Sequence, residues 1–251
     1  MHKRLLAFGL AWLAAAGGPA SGIAADSPDG HTAEEVLAAM DRTSTWGHPD
    51  QYNEFAGMHC YTRGDYPCAL SRFREAARYA DKLSQLSIGL MYLNGQGVDK
   101  DPVVAFAWVA IAAERRYPPF LATRDRLWAN LDEKQRDRAT ELVARLYRQY
   151  GDATAKPRMT QVLRRQRARL TGSYLGFNQG VWSLPPDGRQ RPCGPTIDGG
   201  PASGCGDLYA DWRWNPEKYF RSRDAAWTGT VSVGPLEPVR GKPGRTPADG
   251  H

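Results

Sequence analysis

The stretch Ser87-Ile88-Gly89-Leu90-Met91-Tyr92-Leu93-Asn94-Gly95-Gln96-Gly97-Val98-Asp99-Lys100-Asp101, followed by Pro102, decides the fold. Each of its signal residues has a physical task. Gly89 allows a second helix to come close to its backbone, and Gly95 and Gly97 allow left-handed turn conformations. Asp101 caps the next helix and Pro102 opens it. Val98 stands where an apolar side chain would plug the hairpin end. The stretch reads as helix, tight turn, helix.

Outward from this hairpin the chain matches itself. Ala69, Phe73, Ala76 and Ala77 recur 36 positions later as Ala105, Val109, Ala112 and Ala113. Small residues at these helical spacings let neighbouring helices approach closely, as stacked helix pairs require. Upstream, Tyr61 and Gly64 correspond to Tyr92 and Gly95 at an offset of 31. The two offsets differ because the second unit has the longer turn.

The second unit, with Gly89, Tyr92, Gly95, Gly97, Val98 and Asp101 continuing into Ala105, Trp108, Ala112 and Ala113, resembles the Sel1-like repeat. The first unit, in which Gly64-Asp65-Tyr66 leads into Ala69, Leu70 and Phe73, is similar to a tetratricopeptide hairpin with its shorter turn. The resemblance extends over residues 54–118, roughly a quarter of the chain. It implies an all-α fold, a short superhelix of stacked antiparallel hairpins, to which the composition after Leu184 adds a small, irregular, mostly loop extension. It also implies a scaffold or adaptor role, binding a protein or peptide in a groove lined by the first helix of each pair around Tyr61, Met91 and Tyr92. Ordinary inter-helix packing is the competing role for the two tyrosines.

Beyond the repeats, the spacing predicts a divergent third hairpin over 119–150. Leu121 and Trp128 lie before a break at Asn130-Leu131, and Leu142, Val143, Leu146 and Tyr147 follow it. Asp132 and Gln135 form a capping-box pattern. A short amphipathic helix is expected over 160–170 with Val162 and Leu163 on one side. After Leu184 the composition turns to Gly, Pro and aromatics, with a short helix opening at Asn215-Pro216-Glu217 and a strand over 228–233. The division is therefore a signal peptide (1–25), a lead-in (26–53) and repeats with a capping hairpin (54–150). A connecting helix (151–184), a disulfide-containing extension (185–238) and a flexible tail (239–251) complete it.

Lys3-Arg4, the apolar run 5–16 and small residues through Ala25 are the three parts of a secretory signal peptide. Export to the periplasm, or alternatively outside the cell, is expected. No other stretch is apolar enough for stable membrane insertion. The chain of 251 residues has a net charge of +6, which falls to about +4 without that segment. The best cationic cluster is Arg164, Arg165, Arg167 and Arg169, preceded by Lys156 and Arg158. A solvated face or a patch for an acidic partner explains it better than nucleic acid does, given export.

The four cysteines, Cys60, Cys68, Cys193 and Cys205, form an even set suited to an oxidising compartment. Three pairings are possible, and pairing within each half is the simplest. Neither pair has metal-ligand spacing, so no metal site is expected. No cofactor motif, metalloprotease helix or nucleophile elbow is present, and no Ser-x-x-Lys spells a β-lactam-acting site. Glu54, Glu75, Glu114, Glu133 and Glu141 could supply paired carboxylates for a hydrolase, but solvated helix faces explain them more simply. No catalytic residue is assigned. Trp182, Trp212 and Trp214 offer a second binding reading, stacking on peptidoglycan sugars, against the simpler role of a small core for the extension.

Overall fold

The structure, a computed structural model, describes residues 33–171, 210–225 and 227. The described residues are helical, without a strand, and their helices pack as successive antiparallel hairpins. In order they are α1 (Ala33–Arg42), α2 (Pro49–Thr62), α3 (Tyr66–Ala77), α4 (Lys82–Asn94), α5 (Pro102–Ala112), a 3-10 turn (Ala113–Arg115), α6 (Pro118–Ala129), α7 (Glu133–Tyr150) and α8 (Asp152–Thr171). Two short helices follow, α9 (Asp211–Trp214) and α10 (Pro216–Ala225). The all-α class expected from the sequence is observed among the described residues, and a superhelix of stacked hairpins is compatible with it. No described helix is long and apolar enough to cross a membrane.

The local signals act as their chemistry dictates. Gly95 ends α4 with φ +72° and Gly97 follows with φ +71°. A Cβ on Gly97 would lie 2.8 Å from the backbone carbon of Tyr66, so this turn packs on the start of α3. Asp101 accepts from the amides of Val103 and Val104 at 2.9 and 3.1 Å, and Val98 packs against the core. At α7 both bonds of the capping box are made, Asp132 accepting from the Gln135 amide and Gln135 from the Asp132 amide.

The repeat has one packing device, used twice. A Cβ on Gly89 of α4 would lie 2.6 Å from Val109 of α5, and one on Gly57 of α2 would lie 2.6 Å from Phe73 of α3. Phe73 and Val109 are the residues that correspond across the two units, so each hairpin seats one large side chain on a glycine of its first helix. Ala69, Ala76, Ala77, Ala105 and Ala112 are all inaccessible at the same close approaches, with Ala113 2% exposed. Leu86, Ile88, Met91 and Ile111 have no exposed surface, and burying each such side chain stabilises the stack by roughly 1.5–3 kcal/mol.

The disulfide Cys60–Cys68 joins the end of α2 to the start of α3, one of the two within-half pairings. Cys193 and Cys205 lie outside the described residues, as do the signal-peptide segment, Trp182, the strand over 228–233 and the tail.

Three boundaries differ from the sequence reading. The lead-in contains α1 and the first turn of α2, so a repeat boundary at residue 54 falls inside a helix. The connecting helix starts at Asp152 and runs through Pro157, a residue that removes an intrahelical donor and ordinarily stops a helix. The described part of the extension is helical and docked on the repeats, with α10 opening at the expected Asn215-Pro216 signal, where Asn215 accepts from the Lys218 amide at 3.2 Å.

Candidate functional site

Helix α10 is tied to α2 by two side-chain contacts, and α9 to the segment before α2 by a third, all with one sequence separation, 169 residues. Arg213 donates to the Ser44 carbonyl at 2.6 Å, Tyr219 donates to Asp50 at 2.5 Å, and Arg223 donates to Glu54. A constant separation means the two segments run in the same direction, bridged by their long side chains. Asp50 and Glu54 are four apart on α2, as Tyr219 and Arg223 are on α10, which puts each pair on one helix face.

The floor of the contact is acidic. Arg223 also donates to Asp81, the N-cap of α4, at 2.6 Å, so one guanidinium bridges two helices. The side chains of Glu54 and Asp81 are 0% and 2% exposed, and that of Arg223 is 13% exposed. Burial pushes the Glu54 carboxyl up to about 8, against the pull of Arg223 and with the help of Asp81 and Asp50. Burial likewise pushes Asp50 up to about 6, with Arg223 and the Tyr219 hydroxyl opposing. Arg223 stays charged because the surrounding acids outweigh its own desolvation. Three carboxyl groups, those of Asp50, Glu54 and Asp81, thus surround one guanidinium.

Above this floor sits a buried aromatic group. His48, immediately before α2, stacks on Tyr219 at 4.9 Å and lies 5.0 Å from Trp214. Burial first, then Arg213 and Arg223, holds its imidazole well below its ordinary range, so it is neutral. Gly47, at φ +76°, makes room for Trp214, whose ring would lie 2.7 Å from a Cβ there.

The next residue of α10 carries the opposite charge to a second network. Asp224 accepts from Arg115 at 2.8 Å and from the Tyr117 hydroxyl at 2.5 Å. Arg115 also grips Asp152 through two nitrogens, at 2.7 and 3.0 Å. Asp152 and Glu114 both meet Lys82, at 3.0 and 2.8 Å, although only 2% of that lysine side chain is exposed. Burial lowers the Lys82 ammonium while Asp152 and Glu114 raise it. Arg115 and Lys82 hold Asp152 below the ordinary carboxylate range despite its burial. A cleft lined in part by Asp50, Asp81, Lys82, Arg115, Tyr117 and Arg223 opens between the two networks.

The residues selected from sequence for partner contact fall elsewhere. Met91 is 0% and Tyr61 4% exposed, so both belong to the core, Tyr61 exchanging hydrogen bonds with buried Gln96. Tyr92 is half-buried and accepts from Arg74 at 2.7 Å. Trp214 is 2% exposed and packs with Met159, Leu163 and Tyr219, as a core residue does. Trp212 is half-buried beneath Arg213. For the four aromatics the reason is common: an aromatic on a close-packed helical stack is worth more in an interface between helices than in water. Glu75, Glu133 and Glu141 are exposed on helix faces. Glu54 and Glu114 are not solvated; they hold the two networks.

Sequence reasoning missed Asp50, Asp81, Tyr219 and Arg223. The available signal was the matching i, i+4 pairs, Asp50/Glu54 and Tyr219/Arg223, each following a helix-opening proline at 49 and 216. Compared with models of known protein families, with characterised proteins and with solved structures, the chain matches none.

Proposed function

We propose that this chain is an exported Sel1-like repeat protein that acts as a scaffold, binding a helical segment of an envelope protein or peptide in the periplasm or outside the cell. The reading carries no catalytic residue, cofactor or nucleic-acid partner. One observation supports it most: the stack of hairpins holds a helical segment, its own α10, by seating Arg223 between Glu54 and Asp81. This is how a helical peptide would be gripped, by side chains one turn apart entering a preformed recess. Export is supported by the N-terminal sequence and is compatible with the Cys60–Cys68 bridge. The experiment is in-cell crosslinking of the tagged full chain through a photoreactive residue in place of Tyr52, which is 53% exposed on α2. One dominant envelope protein attached at that position supports the scaffold reading. Wall glycan alone, or no adduct, contradicts it.

A further inference from the structure

Residues 153–171 of α8 carry six cations, Lys156, Arg158, Arg164, Arg165, Arg167 and Arg169, and no acid. The first two are engaged within the fold: Lys156 pairs with Asp152 at 3.0 Å, and Arg158 donates to the Arg78 carbonyl. Arg164, Arg165 and Arg169 are exposed, and no acid among the described residues pairs with any of them. A cation at the end of a helix complements its dipole, but that effect falls off within the last turn, so it reaches Arg169 and not Arg164 or Arg165. Arg165 and Arg169 stand one turn apart and repel each other, which an anion outside the fold would relieve.

An aromatic stands at the same place. The turn before α2 is pressed onto the end of α8: a Cβ on Gly47 would lie 3.2 Å from the Gln166 Cβ. Trp46, the residue before, is 45% exposed even with an edge-on contact to Trp214, ring centres 5.7 Å apart. Gln166 follows Arg165 and precedes Arg169 by one turn, so the exposed indole and the exposed guanidinium groups border one surface. The apolar side of α8 is not available to a peptide helix, since Met159 and Leu163 are 0% exposed and packed with Trp214 and Tyr219. What remains outside is positive charge and one amphipathic ring, the pairing that suits the headgroup layer of a bilayer.

We propose that Trp46 with Arg164, Arg165 and Arg169 forms a peripheral docking site for the surface of an anionic phospholipid bilayer. The site is independent of the scaffold reading. Each guanidinium can hold a lipid phosphate through two parallel hydrogen bonds, and the indole settles at headgroup level. Attachment of this kind is shallow and electrostatic, in keeping with the finding that no described helix is long and apolar enough to cross a membrane. An acidic protein would meet the same charges, but it would also need a pocket shaped to Trp46. A headgroup layer receives an indole and neighbouring arginines without a matched shape.

The test is co-sedimentation of the full chain with vesicles of phosphatidylcholine alone or with about 30% phosphatidylglycerol. Wild type should bind the anionic vesicles at least about tenfold more tightly than the neutral ones, and should lose that margin as ionic strength rises from about 0.05 to about 0.5 M. Arg164→Ala, Arg165→Ala and Arg169→Ala together should weaken binding about thirtyfold or more, and Trp46→Ala about threefold or more. Lys134→Ala, Arg138→Ala and Arg145→Ala remove the same charge from exposed positions of α7 and should weaken it by less than about threefold. Where Trp46→Ala loses its helical circular dichroism, the two triple variants decide. Equal binding to neutral and anionic vesicles, equal losses in the two triple variants, or a folded Trp46→Ala that binds as wild type does, overturns the proposal. Wild type that ignores both kinds of vesicle but binds poly-glutamate through the same three arginines gives the patch to an acidic protein and also overturns it.

Discussion

The hydroxyl of Tyr219 meets the carboxylate of Asp50 at 2.5 Å, joining two helices 169 residues apart in sequence. Four residues on, Arg223 repeats the step with Glu54 at the same separation. Two rungs at one offset make a register, and the register ties the end of the described chain to the first hairpin.

Replacing Arg223 with Ala leaves Asp81 buried without its counter-charge and Glu54 without its hydrogen-bond donor. Breaking a buried pair from one side costs about 3–5 kcal/mol. Chemical denaturation should show a loss of that order for docking of α10. Adding Glu54→Gln to the same chain should cost less than the two changes sum to, since both remove the same Arg223–Glu54 contact.

Stability should depend on pH in two opposite senses. Glu54 rises in the fold from 4.5 to about 8 and Asp50 from 3.8 to about 6, so the folded chain binds more protons than the unfolded one between those limits. Stability is then fully present below the unfolded values and is lost as pH rises toward 8. Asp152 is held below its ordinary 3.8, so its contribution is present above that value and is lost in stronger acid. His48, neutral in the fold, opposes this below its ordinary 6.5, where the unfolded chain takes up its proton. The diagnostic is therefore the variant: Glu54→Gln should reduce the loss of urea midpoint between pH 6.5 and 8 relative to wild type, and an unchanged loss would contradict the assignment.

Two glycines separate packing from backbone strain. A Cβ on Gly89 would press on Val109 and on the Ala105 carbonyl, 2.6 and 2.9 Å away. Overpacking of this kind costs about 1–3 kcal/mol, which outweighs the gain of about 0.5–1 kcal/mol from alanine in a helix. Gly64 has φ +77° and no atom within 4 Å of its added Cβ, so Gly64→Ala should cost only the left-handed backbone penalty, about 1–2 kcal/mol. Gly64→Asn should recover part of it, whereas Gly89→Asn should be worse than Gly89→Ala. Thermal melts of the four variants check the ordering.

Replacing Cys60 and Cys68 together with serine opens a loop whose ends are 8 residues apart. The chain-entropy contribution of so short a loop is about 2–3 kcal/mol. The melting temperature should fall, and reducing agent should then have no further effect through this bridge. An unchanged melt would show that the α2–α3 hairpin is held by Phe73 on Gly57 alone.

The hairpins were legible because their signals are local. Gly95, Gly97 and Asp101-Pro102 specify a turn within a few residues, Asp132 with Gln135 caps α7, and Asn215-Pro216 opens α10. Gly57 escaped notice because it stands 32 residues before Gly89, one out of step with the 31 that pairs Tyr61 with Tyr92. Met91, Tyr61 and Trp214 were placed at a surface because sequence spacing gives a helix face but not what covers it. Glu54 and Glu114 read as solvated charges, since burial of an ion depends on partners supplied from distant helices. The parallel pairing of α2 with α10 is non-local, and only the matched four-residue spacings in the two segments hint at it.

The most direct measurement is amide hydrogen exchange by mass spectrometry on the wild-type chain and on Arg223→Ala. A docked α10 on a self-sufficient stack gives protection in residues 211–225 that falls by about a hundredfold or more in the variant, with α4 and α5 unchanged. Wild-type residues 211–225 exchanging at the rate of an open chain, or protection lost equally from α4 and α5, would contradict it.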